Sequence, residues 1–168
     1  GPGGVPRPRR RHVRRFPPDR IVCLTEETVE TLYLLGQQDR IVGVTGYAVR
    51  PARVRREKPR VAAFTSADLG KVTALAPDLV LTFSDLQADL ARALIAEGIA
   101  VHAFNQRDVA GILAMIRTLG ALTGVPDRAE ALARDCEARL EAVAAAAPAA
   151  RPTVYVEEWD APPICGIA

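Results

Sequence analysis

The residues best suited to contact a ligand lie directly after five short apolar runs of the sequence. The segments are Thr25–Glu26–Glu27, Thr45–Gly46–Tyr47, Phe64–Thr65–Ser66, Phe83–Ser84–Asp85 and Phe104–Asn105–Gln106. Three of them place an aromatic ring beside a hydroxyl or carboxyl group, a combination that favours a bulky, partly apolar ligand. The candidate polar contacts in these segments are Thr25, Glu26, Thr65 and Ser84.

Carboxyl pairs and histidines offer little for catalysis. Glu26–Glu27 and Glu157–Glu158 are adjacent pairs that can act as acid and base, but glutamates at a helix start more often stabilise the helix dipole. His12 and His102 are too separated to make a histidine metal site, and His102 suits a hydrogen-bonded core or rim position. The sequence also lacks a GxSxG elbow, so it predicts neither an enzyme nor a metal site.

Nucleotide binding is disfavoured by the glycine pattern and by charge. Gly43–Val44–Thr45–Gly46 is only a glycine pair, and neither GxxxxGK[ST] nor GxGxxG occurs. Glu26 and Glu27 would repel a phosphate from the start of the first helix. A small doubly wound enzyme or nucleotide-binding domain is kept as the alternative interpretation.

One basic cluster follows the second apolar run. Its members are Arg50, Arg53, Arg55, Arg56, Lys58 and Arg60. Such a cluster is usually a solvated surface, and it can also hold a carboxylate or phosphate of a ligand, with Arg50 as the candidate contact. Tyr47 follows a glycine in a loop, which favours exposure, whereas Phe83 ends a buried run and suits core and rim equally.

Short apolar runs alternate with helical patterns along the chain. Strands are predicted at residues 20–24, 41–44, 61–64, 79–83 and 99–104. Helices are predicted to begin at Thr25, Asp68, Ser84, Asp108 and Pro126, and residues 46–59 are predicted to form an irregular loop. Ser84–Gln87 has the spacing of a capping box. The predicted apolar faces are Leu86, Leu90 and Leu94 on one helix, and Leu132, Cys136, Leu140 and Val143 on the longest.

This alternation predicts a three-layer α/β/α fold with a mostly parallel sheet. Ligands bind such sheets beyond the carboxyl ends of the strands, which would bring the five segments to one edge. The last helix, with some twenty residues, would span on the order of 30 Å and suits a bridge between lobes. The predicted divisions are a disordered basic tail at 1–18, an α/β lobe at 19–125, an inter-lobe helix at 126–148 and a truncated second lobe at 151–168.

Charge separates the tail from the body. Seven arginines against Asp19 leave the first twenty residues at +6, so the rest carries −4 of the total +2. Nucleic-acid binding through this tail is a third hypothesis, and we expect no nucleic-acid partner. No apolar run approaches the ~20 residues of a membrane span. The three cysteines, Cys23, Cys136 and Cys165, predict neither a disulfide framework nor a zinc site.

Three segments, at residues 20–36, 39–44 and 71–80, carry a longer pattern. They read RIVCLTEETVETLYLLG, DRIVGV and KVTALAPDLV. They resemble "RIVSLsPsaTEilfaLG", "drvVGvs" and "kilaLkPDLVi" of the periplasmic ABC-transporter binding proteins for cobalamin and iron-siderophores. Order and spacing agree over roughly residues 20–146, and the similarity is greatest to the cobalamin-binding subgroup, with Glu157–Glu158–Trp159–Asp160 opening the second lobe.

The resemblance implies two α/β lobes joined by one long helix, from Asp127 to Ala147. A cobalamin-like corrinoid or a ferric siderophore would lie between the lobes and be delivered to an ABC transporter permease. It implies no turnover, no cofactor and a periplasmic location, and a cytoplasmic ligand-binding protein is the second alternative. Aromatic residues flank the corrin in cobalamin binders, and the matching positions are Tyr47, Phe64, Phe83 and Trp159.

Two positions depart from the family pattern. Thr25–Glu26 stands where the family often has Ser-Pro. The transporter-docking segment, "NLEki" in the family, is Asp68–Leu69–Gly70–Lys71 here, with glycine in place of glutamate, and Asp68 is the candidate substitute.

The end of the sequence predicts one more strand, Val154–Glu158, as the first of the second lobe. Because only a few residues follow it, we expect it to be the least satisfied part of the structure. It would be disordered, laid on the first lobe, or paired with another copy of the chain through its open edge.

Overall fold

The computed structural model describes residues 15–63, 67–157, 159–160 and 163–164. The strands are β1 Ile21–Cys23, β2 Ile41–Thr45, β3 Arg60–Ala62, β4 Leu79–Phe83, β5 Val101–Phe104, β6 Trp159–Asp160 and β7 Pro163–Ile164. The helices are α1 Glu26–Leu34, α2 Val54–Glu57, α3 Leu69–Ala74, α4 Ala88–Ala96, α5 Val109–Thr123 and α6 Pro126–Ala145, and short 3-10 turns cover Gln38–Arg40 and Asp85–Gln87. The predicted α/β fold is confirmed.

The main sheet has five parallel strands in the order β3-β2-β1-β4-β5. β1 lies at the centre, with Val22 opposite Gly43 of β2 and opposite Val80 of β4. The chain order reverses between β1 and β4, and ligands bind at such a switch point, outside the carboxyl ends of the strands. The start of β1 is also held to β4, because the Asp78 carboxylate accepts 3.0 Å hydrogen bonds from the backbone N–H groups of Asp19 and Arg20.

Helices cover both faces of this sheet, which makes three layers. On one face α1, α5 and α6 enclose a core with Ile21, Cys23, Leu79 and Leu81. On the other face Val72 of α3 and Leu94 of α4 pack against Val22, Leu24 and Val80. Successive residues of a strand point to opposite faces, so a strand covered on both faces is apolar throughout. That is why β1 and β4 are continuous apolar runs in the sequence.

The long helix α6 packs on α5 through small residues. Ala129 and Ala133 are its buried positions, and a Cβ atom added at Gly120 of α5 would collide with the Ala129 Cβ. The predicted apolar stripe of α6 is therefore wrong at its far end, where Leu140 and Val143 are exposed. The near end of the stripe packs as predicted, because Leu132 and Cys136 lie partly buried against the core, and the close approach of Gly120 and Ala129 adds to this contact.

Charged side chains also join α5 to α6. The Arg117 guanidinium of α5 donates to the Glu130 carboxylate at 2.7 Å and to Glu137 at 3.2 Å. Glu130 also accepts from Arg134 at 2.8 Å, and these hydrogen bonds lower the pKa of Glu130 to about 2. Glu130 therefore stays ionised at neutral pH and stabilises the contact between α5 and α6. It does not take part in capping α6, whose N-cap residue is Val125 and has no side-chain hydrogen bond.

Three local predictions need correction. Residues 46–59 contain the short helix α2, so the segment is not wholly irregular. Ser84–Gln87 forms a 3-10 turn in which the Ser84 hydroxyl accepts from the Leu86 N–H at 3.2 Å, so the reciprocal capping box does not form. Leu86 is 63% exposed rather than on the buried face, because this turn precedes the helix.

The predicted strand Val154–Glu158 is wrong within its described residues. Residues 151–157 form no regular element, and Val154, Tyr155 and Val156 are exposed. A strand forms later, where Trp159 pairs antiparallel with Ile164. The strand partner therefore comes from within the chain, and self-association stays a prediction.

Gly120→Ala tests the close contact of α5 and α6. We expect it to lower the free energy of unfolding by about 1–3 kcal/mol, because the new methyl group overpacks the contact with Ala129. Urea denaturation measures the change. The double variant Gly120→Ala with Ala129→Gly restores the space and should be more stable than the sum of the single changes predicts. Additive losses would contradict this reading of the contact.

Candidate ligand-binding site

A cavity of about 260 Å³ opens at the carboxyl ends of the central strands. Its lining residues are Thr25, Glu26, Glu27, Thr45, Phe83 and Gln106. They follow or end β1, β2, β4 and β5, so four of the five predicted segments meet at one edge of the sheet. The cavity lies at the switch point between β1 and β4, where the fold itself favours a ligand.

Two buried threonines form polar parts of the wall. Thr25, in extended conformation, precedes α1, and its hydroxyl shares a 3.0 Å hydrogen bond with the Thr28 hydroxyl. Thr45 ends β2 and its hydroxyl accepts from the Tyr47 N–H at 3.4 Å. Local hydrogen bonds therefore hold both side chains in place before any ligand arrives.

Phe83 is positioned by a buried glutamine. The Phe83 N–H donates to Gln87 Oε1 at 2.9 Å, and Gln87 Nε2 donates to the Leu24 carbonyl oxygen at 3.0 Å. One amide thus joins the ends of β1 and β4 on either side of the switch point. The Arg107 guanidinium lies 5.7 Å from the centre of the Phe83 ring and pairs with Asp85 at 3.5 Å. Phe83 is half-buried, so it belongs to both core and rim.

Two carboxyl groups stand side by side at the mouth of this cavity. Although Glu26 as a whole is exposed, partial desolvation of its carboxyl group raises its pKa, and the neighbouring charge of Glu27 raises it further. Glu27 Oε1 accepts from Gln106 Nε2 at 3.4 Å. Gln106 Oε1 is buried and has no hydrogen-bond partner among the described residues. The mouth is therefore rich in acceptors.

Further cavities continue from the first along α1. One of about 300 Å³ is lined by Glu26, Glu27, Glu30, Val49 and Arg50, and one of about 400 Å³ by Glu30, Tyr33, Leu34, Arg50, Pro51 and Arg53. Shared lining residues make the three a groove between α1 and the loop after β2. At its far end the Tyr33 hydroxyl donates to Glu57 at 2.6 Å, and burial and this carboxylate raise the pKa of Tyr33.

The structure brings together only part of the predicted site. Thr25, Glu26 and Phe83 line the first cavity, and Arg50 lines the two beside it. Tyr47 is 56% exposed, as predicted, but does not line the first cavity. Ser84 is buried, has φ 57° and shapes the turn after β4.

The remaining candidate residues lie outside the described residues or away from the first cavity. Phe64 and Thr65 lie outside the described residues, and Trp159 is described only as part of β6. Asp68 caps α3 by accepting from the Lys71 N–H at 3.0 Å. His102 lies 4.4 Å from the Phe104 ring, and burial lowers its pKa.

Glu27, Thr45 and Gln106 also line the cavity, although the sequence did not single them out within the segments that the strand-end pattern selects. The strand-end pattern predicted that these segments lie at one edge of the sheet. Only the packing shows which of their side chains face the cavity.

The buried thiol of Cys23, whose pKa burial raises to about 12, has the predicted role of a small core residue. Among the described residues no cluster of three or more His, Cys, Asp or Glu side chains could hold a metal ion. Within the same part of the chain, no helix has the length and apolarity to cross a membrane.

The parallel order and the cavity at its switch point define a doubly wound α/β lobe. Residues 21–167 match the sequence model of the periplasmic binding protein family. The chain therefore belongs to this family. The cobalamin-binding protein of Halobacterium salinarum is 30% identical over 148 residues, which cover 85% of this chain and 40% of that protein.

Solved structures of the family show the same fold. A periplasmic haem-binding protein from Pseudomonas aeruginosa matches with a TM-score of 0.70 and 26% identity over 76% of this chain and 46% of its own. The periplasmic vitamin B12 binding protein of Vibrio cholerae matches with a TM-score of 0.67 and 26% identity over 74% and 48%. The chain therefore spans less than half the length of these relatives.

Glu27→Gln tests the coupling of the two carboxyl groups. It should lower the pKa of Glu26, because it removes a neighbouring negative charge and leaves desolvation as the remaining cause of the rise. A carbon-13 NMR titration of the Glu26 carboxyl group measures the change. Glu30→Gln, one turn along α1, is the control and should have a smaller effect. An equal pKa of Glu26 in the parent and in Glu27→Gln would show that the two groups are not coupled.

Proposed function

We propose that the chain forms one wall of a ligand-binding cleft of an ABC importer's solute-binding component. The ligand is a cobalamin-like corrinoid or a ferric siderophore, and the protein releases it unchanged. The observation that carries this proposal is the cavity at the switch point, in a chain of the periplasmic binding protein family. Its relatives include proteins that bind cobalamin, vitamin B12 and haem, which supports a large metal-containing macrocycle as the ligand.

The chemistry of the wall suits such a ligand. The Phe83 ring offers a flat apolar surface, and the buried hydroxyl groups beside it fix polar contacts. A cavity of about 260 Å³ holds only part of a corrinoid, so the ligand must extend over the rim and along α1. Tyr47, Arg50, Phe64, Thr65 and Trp159 are proposed as further contacts around that body. Because the chain spans less than half the length of its relatives, the residues described here are proposed to supply one wall of the cleft.

A nitrogen-15 NMR titration with cyanocobalamin tests ligand binding at this edge. We expect saturable amide shifts after β1, β2, β4 and β5, around Thr25, Glu26 and Phe83, and few on α6. Phe83→Ala should weaken binding by between about twofold and tenfold, since ring contacts contribute ~0.5–1.5 kcal/mol. Leu86→Ala, in the exposed turn beside it, is the matched control and should leave the affinity unchanged.

The titration has a clear negative outcome. If neither cyanocobalamin nor a ferric siderophore shifts these amides at millimolar concentration, the proposed function fails. Shifts confined to the opposite end of the sheet would equally contradict it, because the cavity would then not be the site.

Delivery to a transporter permease in the periplasm is the second part of the proposal. Asp68 is proposed as the docking charge on this lobe, since its side chain is half exposed beside Lys71 at the start of α3. Its established contact is the cap of α3, so a test must separate charge from capping.

Asp68→Asn makes that separation, because asparagine caps a helix as well as aspartate does. We expect ligand affinity and melting temperature to stay the same. Stimulation of the ATPase activity of the importer, reconstituted in vesicles, should fall. Glu97→Gln, which removes an exposed charge at the end of α4, is the control. Unchanged stimulation by Asp68→Asn would remove Asp68 from the docking surface.

A further inference from the structure

The groove along α1 has an unbalanced charge. Glu26, Glu27 and Glu30 line the first two cavities, against the single guanidinium of Arg50. Among the described residues, the side chains of Glu26, Glu30 and Arg50 take part in no hydrogen bond or ion pair. The carboxylates are therefore not neutralised by their neighbours, and a ligand in the groove meets them directly.

The position of the carboxylates makes this charge important for the ligand. α1 starts at Glu26, so both first-turn carboxylates lie where the backbone of a helix would otherwise attract an anion. Glu26 lines the strand-end cavity and the one beside it, and its carboxyl group is already partly desolvated. A ligand that covers the mouth removes more water from this group, and only a donor or a cation compensates for that loss.

We infer that Glu26 and Glu27 select the ligand by charge: the site accepts macrocycles edged with amide N–H donors and rejects those edged with carboxylates. This inference rests on the proposed function and makes it more specific. The relatives with the same fold bind vitamin B12 and haem. A corrinoid such as vitamin B12 carries primary amides at its edge, whereas haem carries two propionates. The fold alone does not separate the two, but the two glutamates do.

The expected size of the effect follows from electrostatics. Two like charges about 4 Å apart repel by roughly 1 kcal/mol in water and about 4 kcal/mol near a partly dehydrated surface. A carboxylate placed at the mouth should therefore weaken binding by between about fivefold and several hundredfold at low salt. Arg50 reduces this effect where the ligand reaches the second cavity, whereas Arg107, beside the Phe83 ring, is already paired with Asp85. The preference should decrease as salt rises, because ions screen exposed charges.

A matched pair of ligands isolates the effect. Dicyanocobyrinic acid heptamide and dicyanocobyrinic acid share the corrin ring, the cobalt and both cyanide ligands, and differ only in amide against carboxylate groups. We expect the chain to bind the heptamide at least tenfold more tightly at pH 8 and low salt, measured by NMR titration or calorimetry. The double variant Glu26→Gln with Glu27→Gln should reduce that ratio by about tenfold.

The control variant removes the same net charge elsewhere. Glu97→Gln with Glu141→Gln changes two exposed carboxylates at the end of α4 and on α6, and should leave the ratio within about twofold of the parent value. Circular dichroism melting verifies that each variant is folded. Because both double variants have the same net charge, a difference between them reports local contact with the ligand rather than general repulsion.

The outcomes distinguish charge selection by Glu26 and Glu27 from the proposed function. A smaller ratio in the Glu26–Glu27 variant alone supports charge selection. An equal ratio in parent and variant, an equal reduction in both double variants, or a parent that prefers the acid overturns it and leaves the proposed function standing. Failure of both rings, together with failure of the ferric siderophore, overturns the proposed function itself.

Discussion

The complete burial of β1 is the constraint on which the rest of the lobe depends. All four residues from Ile21 to Leu24 are inaccessible to solvent, with β2 and β4 on either side and a core on each face. A strand in this position needs helices above and below it, and parallel neighbours need crossover connections to supply them. The chain therefore leaves β1 after Cys23 and enters α1 at Glu26, at the edge where β4 also ends. The site is a consequence of that geometry.

The buried amide of Gln87 shows how the geometry is maintained at the switch point between β1 and β4. Strand order reverses beside β1, so the ends of β1 and β4 separate into different connections. Gln87 accepts from the Phe83 N–H and donates to the Leu24 carbonyl oxygen, which satisfies backbone groups that would otherwise be buried without partners. The same side chain fixes the position of Phe83 in the cavity wall. The hydrogen bonds of Gln87 therefore stabilise the core and the candidate site together.

The sequence predicted those features that a single segment encodes. β4 has the predicted bounds, since burial on both faces makes a strand a continuous apolar run. Asp68 and Asp108 cap their helices as predicted, accepting from the N–H groups of Lys71 and Gly111. Capping depends on residues three positions apart, so it can be recognised locally.

Features set by partners distant in sequence were not predictable in the same way. Gln87 has the spacing of a capping residue, but Leu24, sixty-three residues earlier, recruits its amide. The stripe of α6 follows helical periodicity, whereas its buried residues are Ala129 and Ala133, and Gly120 of α5 leaves room for the first of them. In the site, the strand-end pattern predicted Thr25 and Glu26. Gln106 faces the same cavity only because β5 pairs with β4.

The charge at the start of α1 acts in addition to this geometry. A doubly wound sheet presents a helix N-terminus to its cleft, and the backbone there favours an anion. In this chain two carboxylates already occupy that favourable position, one of them held by Gln106. They satisfy the helix dipole from within the protein, and so they leave an acceptor-rich mouth for whatever enters. In the proposed site the fold would determine where a ligand lies, while two side chains on an unchanged backbone would determine the sign of charge it can carry. On this proposal one architecture serves both acidic and amide-bearing macrocycles, because an exchange of these two residues would alter recognition without disturbing the buried strand that supports them.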